Sequence, residues 1–277
     1  IKPGKFNRVR VEKETNKGWT LADNDNDQVF LPKSTEEYVE EDEELEVFVY
    51  FNNTGDIVAT LKRAKLELNE VGYLQVVSLT NFGAFLDWGI PKDILVPLKE
   101  QRYAMEVDGW YLVYIYWDEK TNRIAASSKI DSYLKSEVEG LEIGDVVELI
   151  ISNETELGIN VIVDHKYKGL LFHNEVFQDV HLGDRMRGYV KKIRDDGKLD
   201  ITLQQPGLEN IEPNAERILF FLKAQGGEME FTDKSDPKLI HETFEMSKKA
   251  FKKALGSLYK NRQIQIQEDK VTIISED

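Results

Sequence analysis

One frame recurs three times along this 277-residue chain. Glycines at Gly4, Gly72 and Gly144, at intervals of 68 and 72 residues, open three strand-like runs. The runs are Lys5-Phe6-Asn7-Arg8-Val9, Tyr73-Leu74-Gln75-Val76-Val77 and Asp145-Val146-Val147-Glu148-Leu149. A second landmark follows 28, 25 and 28 residues after each glycine, at Leu31-Pro32, Val96-Pro97 and Leu171-Phe172. A third sets an acidic turn before a new strand: Asp42 before Leu45, Asp108 before Leu112, Asp184 before Met186. The last is a closing strand after a polar turn, at Ile57-Val58-Ala59-Thr60, Arg123-Ile124-Ala125-Ala126-Ser127 and Leu199-Asp200-Ile201-Thr202. Four landmarks in one order, three times over, mark an internal repeat.

Short alternating strands separated by Gly, Asn and Asp turns make each repeat an all-β unit. Its length suits a five-stranded OB-type barrel. After Pro206-Gly207 the apolar period changes from two to helical. Ile218, Leu219 and Leu222 form one stripe; Asp236-Pro237 reads as an N-cap with a first-turn proline before Ile240 and Phe244. Ser247 caps a third helix, with Met246 placed to staple to Phe251. Gln263 to Gln267, a Glu268-Asp269 turn and Lys270 to Ile273 read as a hairpin. The expectation is a mainly β multidomain chain: three tandem S1/OB-type five-stranded barrels at residues 1–66, 67–136 and 137–208, then an α+β winged-helix domain at 209–277.

Hydrophobic residues make up 41% of the chain and charged residues 31%, values of an ordinary globular protein. No cysteine is present, which excludes disulfides and thiolate zinc sites and points to a reducing cytoplasm. No run approaches the ~18 apolar residues of a membrane span, and Ile1-Lys2-Pro3-Gly4 is not a signal peptide. A formal net charge of −15 opposes a polyanion at long range. Nucleic-acid binding on this chain therefore requires local patches and base stacking.

The middle repeat holds Asn81-Phe82-Gly83-Ala84-Phe85-Leu86, then Ile94-Leu95-Val96-Pro97-Leu98, then Arg123-Ile124-Ala125-Ala126-Ser127-Ser128-Lys129. In spacing and order this resembles the S1-type RNA-binding domain. The third repeat is similar through Gly169-Leu170-Leu171-Phe172 and Gly197-Lys198-Leu199-Asp200-Ile201-Thr202-Leu203, whereas the first keeps the frame alone. Three S1-like units followed by a winged helix resemble the conserved virulence factor B family of Gram-positive bacteria. The resemblance implies a cytoplasmic RNA-binding regulator of virulence-gene expression, acting after transcription, with no catalytic centre and no cofactor. Single-stranded RNA is the implied partner, with proteins of RNA metabolism as further ones.

In S1-type domains the RNA face carries aromatics of the second strand and a basic residue of the last. By position these are Phe82, Phe85 and Arg123, with Tyr114 and Tyr116 on a neighbouring aromatic-rich strand. Every base has a π-face, so stacking contributes ~1–3 kcal/mol per base without regard to sequence. The competing reading for all four aromatics is core or interdomain packing. Where the family carries His, this chain has Pro97 and Phe172. The first repeat has Asn16 and Thr20 opposite Phe82 and Phe85, and is expected to bind RNA poorly. The third has Leu157 and Asn160 there, beside Lys191, Lys192, Arg194 and Lys198.

Lys248, Lys249, Lys252 and Lys253 form two like-charge i,i+4 pairs, each unfavourable by ~0.2–0.5 kcal/mol. Phe251, Leu255 and Leu258 already supply the buried stripe of that helix, so folding does not require the lysines. Ser247 to Arg262 contains six basic residues and no acidic one. A helix-turn-helix frame makes phosphate contact the functional reading and a solvated face the plain one. The acidic run from Glu36 to Glu46 reads as a solvated crossover. His165, His173, His181 and His241 show no ligand spacing. No phosphate loop, nucleophile elbow or HExxH pair is present. Two other classes compete with RNA binding: a transcription factor using the lysine helix on DNA, against which the acidic Glu268-Asp269 wing tip argues, and a protein-interaction scaffold.

Overall fold

The computed structural model describes residues 1–33, 39–173, 176, 179–203, 213–267 and 269–274. Pro206-Gly207, Glu268 and the residues Glu36 to Tyr38 of the acidic run lie outside them. The chain separates into two compact units, Ile1–Leu203 and Gln204–Asp277.

In the first unit, β1 (Phe6–Thr15), β2 (Gly18–Ala22), β3 (Gln28–Pro32), β4 (Glu44–Phe51) and β5 (Ile57–Thr60) close into a barrel in the order β1-β2-β3-β5-β4. β11 (Val146–Glu154), β12 (Gly158–Val163), β13 (Tyr167–Phe172), β14 (Arg185–Ile193) and β15 (Leu199–Thr202) close in the same order. Between them, β6 (Val71–Leu79), β7 (Gly83–Leu86), β8 (Ile94–Pro97), β9 (Trp110–Asp118) and β10 (Arg123–Ser127) form a five-stranded sheet, β10-β9-β6-β7-β8. Here the expected barrel is a curled sheet whose ends, β8 and β10, lie side by side without a strand ladder. β8 has four residues where β3 has five and β13 six. Its edge is finished from the following turn, where the Glu100 carbonyl accepts from the Ser128 amide at 3.0 Å and the Ser127 hydroxyl at 3.3 Å.

The repeat is real, but three landmarks sit off the residues that sequence reading assigns. A left-handed residue opens each β-unit and donates its amide across to the fourth strand: Gly4 to Val49, Asn69 to Ile115, Gly144 to Val190. In the middle unit that position is Asn69; Gly72 lies three residues on, inside β6. Gly and Asn both tolerate positive φ, so tracking glycine misplaces the start. Likewise Asp42, Asp108 and Gly183, all at positive φ, are equivalent, each amide donating to the first strand; Asp184 follows that position.

Eleven residues after each opening residue, Thr15, Thr80 and Thr155 donate their hydroxyls to the carbonyls of Gly18, Gly83 and Gly158, at 2.7, 2.9 and 2.7 Å. Those glycines pair with Pro32, Pro97 and Phe172 on the third strand. A Cβ on any of them would overlap the carbonyl oxygen of Leu31, Val96 or Leu171. The Thr-x-x-Gly turn therefore fixes where the second strand begins in every unit. Its register places Lys17, Phe82 and Leu157 at one equivalent position and Thr20, Phe85 and Asn160 at another. Lys17, and not Asn16, is the counterpart of Phe82.

Alternation sends one side chain in two to the cores. Val11, Leu21 and Val47 fill the first barrel; Leu149, Val161 and Ile201 fill the third. Phe48, Tyr50 and Val58 of the first barrel share one core with Leu74, Val76 and Leu86 of the second unit. Trp88 stands edge-on to Phe48 at 5.3 Å, and its indole N–H donates to the Leu66 carbonyl at 2.7 Å. Val71, Ile130, Ile150 and Ile162 bury one another between the second and third units. There the Val71 amide donates to His165 Nδ1 at 2.9 Å, and Lys168 pairs with Asp131 at 2.7 Å.

In the second compact unit α1 (Pro213–Ala224), α2 (Pro237–Phe244) and α3 (Lys248–Lys260) pack on β16 (Glu228–Met229), β17 (Ile264–Ile266) and β18 (Val271–Ile273), in the sheet order β16-β18-β17. Asp236 caps α2 by accepting from the Lys238 amide at 2.7 Å, and Ser247 caps α3 by accepting from Ala250 at 3.2 Å. Met246 is buried in the same core as Phe251. The strand β16 joins the hairpin as a third member, which sequence reading does not anticipate: at two residues it is too short to show a period.

Candidate nucleic-acid interface

The inward side chains Ala84 and Leu86 on β7 and Ile94 and Val96 on β8 send their neighbours Phe85, Leu95 and Pro97 outward. Phe85 pairs with Leu95 across the strands and with Ser78 on β6. Phe82, in the turn before β7, is 53% exposed and meets Phe85 edge-on, with centroids 5.8 Å apart. Exposed Leu79 and Leu98 flank it. This is an open apolar ledge with one solvent-facing ring, the form that accepts an unpaired base.

The other second-unit residues are arranged differently. Arg123 is exposed at the start of β10, paired in register with Asp118. Beside it Lys92 is half-buried and donates to the Phe51 and Asn52 carbonyls at 2.6 and 2.9 Å. Burial, then the charge of Arg123, lowers the Lys92 ammonium pKa from its ordinary value. Tyr114 and Tyr116 point away from the sheet core and close on Tyr133 from the turn after β10, with centroids at 4.8 and 5.0 Å. Tyr116 is buried and Tyr114 half-buried, its hydroxyl donating to Asn69 Oδ1 at 3.2 Å. Burial raises both phenols' pKa values, and raises Tyr133 to about 12 with help from the Glu100 carboxylate that its hydroxyl meets at 3.2 Å. Such a cluster packs a junction; it leaves Tyr116 no open face.

One residue escapes sequence reading. Phe30 on β3 sits between buried Val29 and Leu31 and therefore faces outward, opposite Thr20. Its position is that of Leu95 in the second unit. The alternation Gln28-Val29-Phe30-Leu31-Pro32 carries the signal, but comparison of second strands alone passes over it. The first barrel thus keeps an aromatic on the equivalent face, beside Lys17.

In the third unit Phe172 lies on β13 with Arg194 over its ring at 6.0 Å, and Arg194 is ion-paired to Asp200 at 2.6 Å. Lys192 is exposed on β14, Lys191 is half-buried beside it, and Lys198 pairs with Asp196 at 3.1 Å. On α3, Lys249, Lys252 and Lys253 are exposed, with Lys252 at 3.4 Å from Asp233. Lys248 behaves otherwise: it is half-buried and donates to the Ser235 carbonyl at 2.9 Å, tying α3 to the segment before α2. Among the described residues no cluster of three His, Cys, Asp or Glu side chains could hold a metal ion, and no helix is long and apolar enough to cross a membrane.

Comparison with known proteins bears on these surfaces domain by domain. The family model of the CvfB-like winged helix domain matches residues 216–273. The S1 domain model matches residues 3–62, the first barrel, where sequence reading finds only the frame. The Thr-x-x-Gly turn is as complete here as in the other units, and the barrel closes in the same order as the third. Conserved virulence factor B of Staphylococcus aureus (strain MRSA252) is 26% identical over 254 residues, covering 87% of this chain and 85% of that one. The likeness to conserved virulence factor B proteins runs along most of the chain. Uncharacterized protein YitL of Bacillus subtilis (strain 168) is 29% identical over 280 residues, covering 95% and 91%. A crystal structure of a multidomain protein with nucleic acid binding domains from Streptococcus pneumoniae aligns over 98% of each chain, at 22% identity and a TM-score of 0.40. The S1 and winged-helix domain matches together support nucleic-acid binding by this chain.

Proposed function

We propose that this protein is a non-catalytic, cytoplasmic, single-stranded RNA-binding regulator of gene expression, virulence genes included, with its main stacking ledge at Phe82 and Phe85. The observation that carries the reading is Phe82: a large aromatic more than half exposed, edge-supported by a second ring, on the outer face of an S1-like sheet. Burying a base against it removes apolar area from water on both partners and needs no sequence-specific donor. With domain limits near residues 66, 136 and 208, the first and second β-units each carry an aromatic on this face, Phe30 and the Phe82–Phe85 pair. Phe30 serves the first barrel, and Arg123, Lys192 and Lys198 supply phosphate contacts in the others.

Lys249, Lys252 and Lys253 make α3 a second, electrostatic contact. Two weak sites on one chain raise avidity through effective concentration, even where each alone is weak. This matters for a chain of net charge −15, which forgoes long-range attraction. Proteins of RNA metabolism are further partners under this reading.

The test is a titration of the full chain with single-stranded RNA and duplex DNA of equal length at one salt concentration. Single-stranded RNA is expected to bind in the micromolar range and duplex DNA more weakly. Tighter binding to duplex DNA overturns the proposal in favour of a transcription factor. Binding to neither leaves a protein-interaction scaffold.

A further inference from the structure

A groove of about 1030 Å³ runs between the second and third β-units. Its walls bring together two surfaces that neither unit completes alone. From the third unit come Leu157 and Asn160, which hold the positions of Phe82 and Phe85 but offer no ring to a base. From the second come Tyr103, 74% exposed, and Trp110, 47% exposed, both lining the same space. Trp110 is held by Tyr73, whose ring stacks on it at 5.8 Å and packs against Gly183 of the third unit.

Four cations line this groove, two of them already paired outside its lining, Arg194 with Asp200 and Lys198 with Asp196. Arg102, Lys168, Arg194 and Lys198 line it against the carboxylates of Asp131 and Glu156, while the whole chain carries −15. Asp131 is shared: it meets Lys168 at 2.7 Å and Arg102 at 3.2 Å, one cation from each wall. The volume slightly exceeds the roughly 300–1000 Å³ usual for a small-ligand pocket, which suits more than one nucleotide.

We propose that this groove is a second single-strand site, composed across the two units. The aromatic function missing from β12 is supplied by Tyr103 and Trp110 of the neighbouring unit. Unpaired bases stack on these rings and the backbone phosphate displaces Asp131 between Arg102 and Lys168. The inference deepens the proposed function and rests on it. It also accounts for the third unit's face: its apolar part, Ile150 and Ile162, is spent on the junction, and the polar remainder opens into the groove.

The experiment uses the full chain and a twelve-nucleotide oligouridine, read by anisotropy and tryptophan emission. Arg102→Gln with Tyr103→Ala removes two exposed side chains, and a thermal melt checks that the fold is kept. Affinity is expected to fall about five-fold or more, the joint effect of one stack and one phosphate interaction. Trp110→Phe should abolish most of the RNA-induced emission change, since Trp19 and Trp88 are buried and Trp117 is half-buried against Phe51, away from the groove lining. Asp131→Asn should raise affinity about two-fold or more, because phosphate then meets two cations without a competing carboxylate. Unchanged affinity in the Arg102/Tyr103 variant, while Phe82→Ala weakens binding, overturns the groove and leaves the proposed function standing. Lower or equal affinity for Asp131→Asn overturns phosphate contact between Arg102 and Lys168. A wild-type chain with no affinity for single-stranded RNA overturns both readings.

Discussion

Phe82 stands edge-on to Phe85, with ring centroids 5.8 Å apart and planes at 88°. The two rings have different duties. Phe85 is half-buried on β7 and supports; Phe82 is mostly exposed in the turn and has a face to give. Phe82→Ala is therefore expected to weaken single-stranded RNA binding by about ten-fold, the effect of one stack, with little change in melting temperature. Phe85→Ala should lower both affinity and stability, since it removes packed area as well. Parallel anisotropy titrations and thermal melts separate the two; equal behaviour of the variants would refute this division.

The Thr-x-x-Gly turn predicts a stability effect of a different kind. At Gly83 a methyl group would enter the Val96 carbonyl, a backbone atom that cannot step aside without moving β8. Gly83→Ala should destabilise the chain by at least ~1–3 kcal/mol, the range for forced overpacking. Thr80→Val should cost ~1 kcal/mol, for the hydroxyl that donates to Gly83 at 2.9 Å. Urea unfolding of both variants checks the order, and the same pair at Thr155 and Gly158 should behave alike.

The tyrosine cluster gives a pH dependence. Burial first, and the Glu100 carboxylate second, push the Tyr133 phenol up to about 12, above the ~10 of an unfolded chain. A group whose folded pKa is raised contributes stability that is whole below the unfolded value and is lost as pH rises through the folded one. Stability should thus fall between pH ~10 and ~12. Glu100→Gln removes the second cause and should shift the late phase of phenolate absorbance to lower pH. Tyr133→Phe should take one phenol out of that phase, leaving Tyr114 and Tyr116 to titrate late, and should blunt the alkaline loss of stability.

Much of this was legible in the sequence, and the residues show why the rest was not. The strand runs, the third-strand landmarks at Pro32, Pro97 and Phe172, and both helix caps of the winged unit follow from local period and local hydrogen bonding, which a sequence displays. The unit starts slipped because Asn69 does the conformational work of Gly4 and Gly144, and residue identity conceals that equivalence. The strand of Tyr116 leaves platform and packing readings both open; only Tyr133, seventeen residues on, shows that its face is covered. The composite groove depends on Tyr103 and Asn160 lining one space across a junction that His165, Ile150 and Ile162 assemble. Pairings of that range leave no periodic trace.

The basic helix supplies the last prediction. Three lysines of α3, Lys249, Lys252 and Lys253, are exposed, while Lys248 donates to the Ser235 carbonyl and fastens the helix start. The four should therefore divide. Replacing Lys249, Lys252 and Lys253 with Gln keeps helix propensity and relieves like-charge repulsion at i,i+4 spacing, so stability should hold. Each phosphate that is no longer neutralised flattens the slope of log K against log salt by ~0.7 on single strands, up to ~2 for all three. Lys248→Gln alone should leave the slope nearly unchanged and lower the melting temperature of the winged unit, because the hydrogen bond to the segment before α2 goes with the ammonium. Titrations at several salt concentrations decide it. A slope unaltered by the triple replacement would confine RNA binding to the β-units, and a slope altered most by Lys248→Gln would reverse the roles assigned to the lysines.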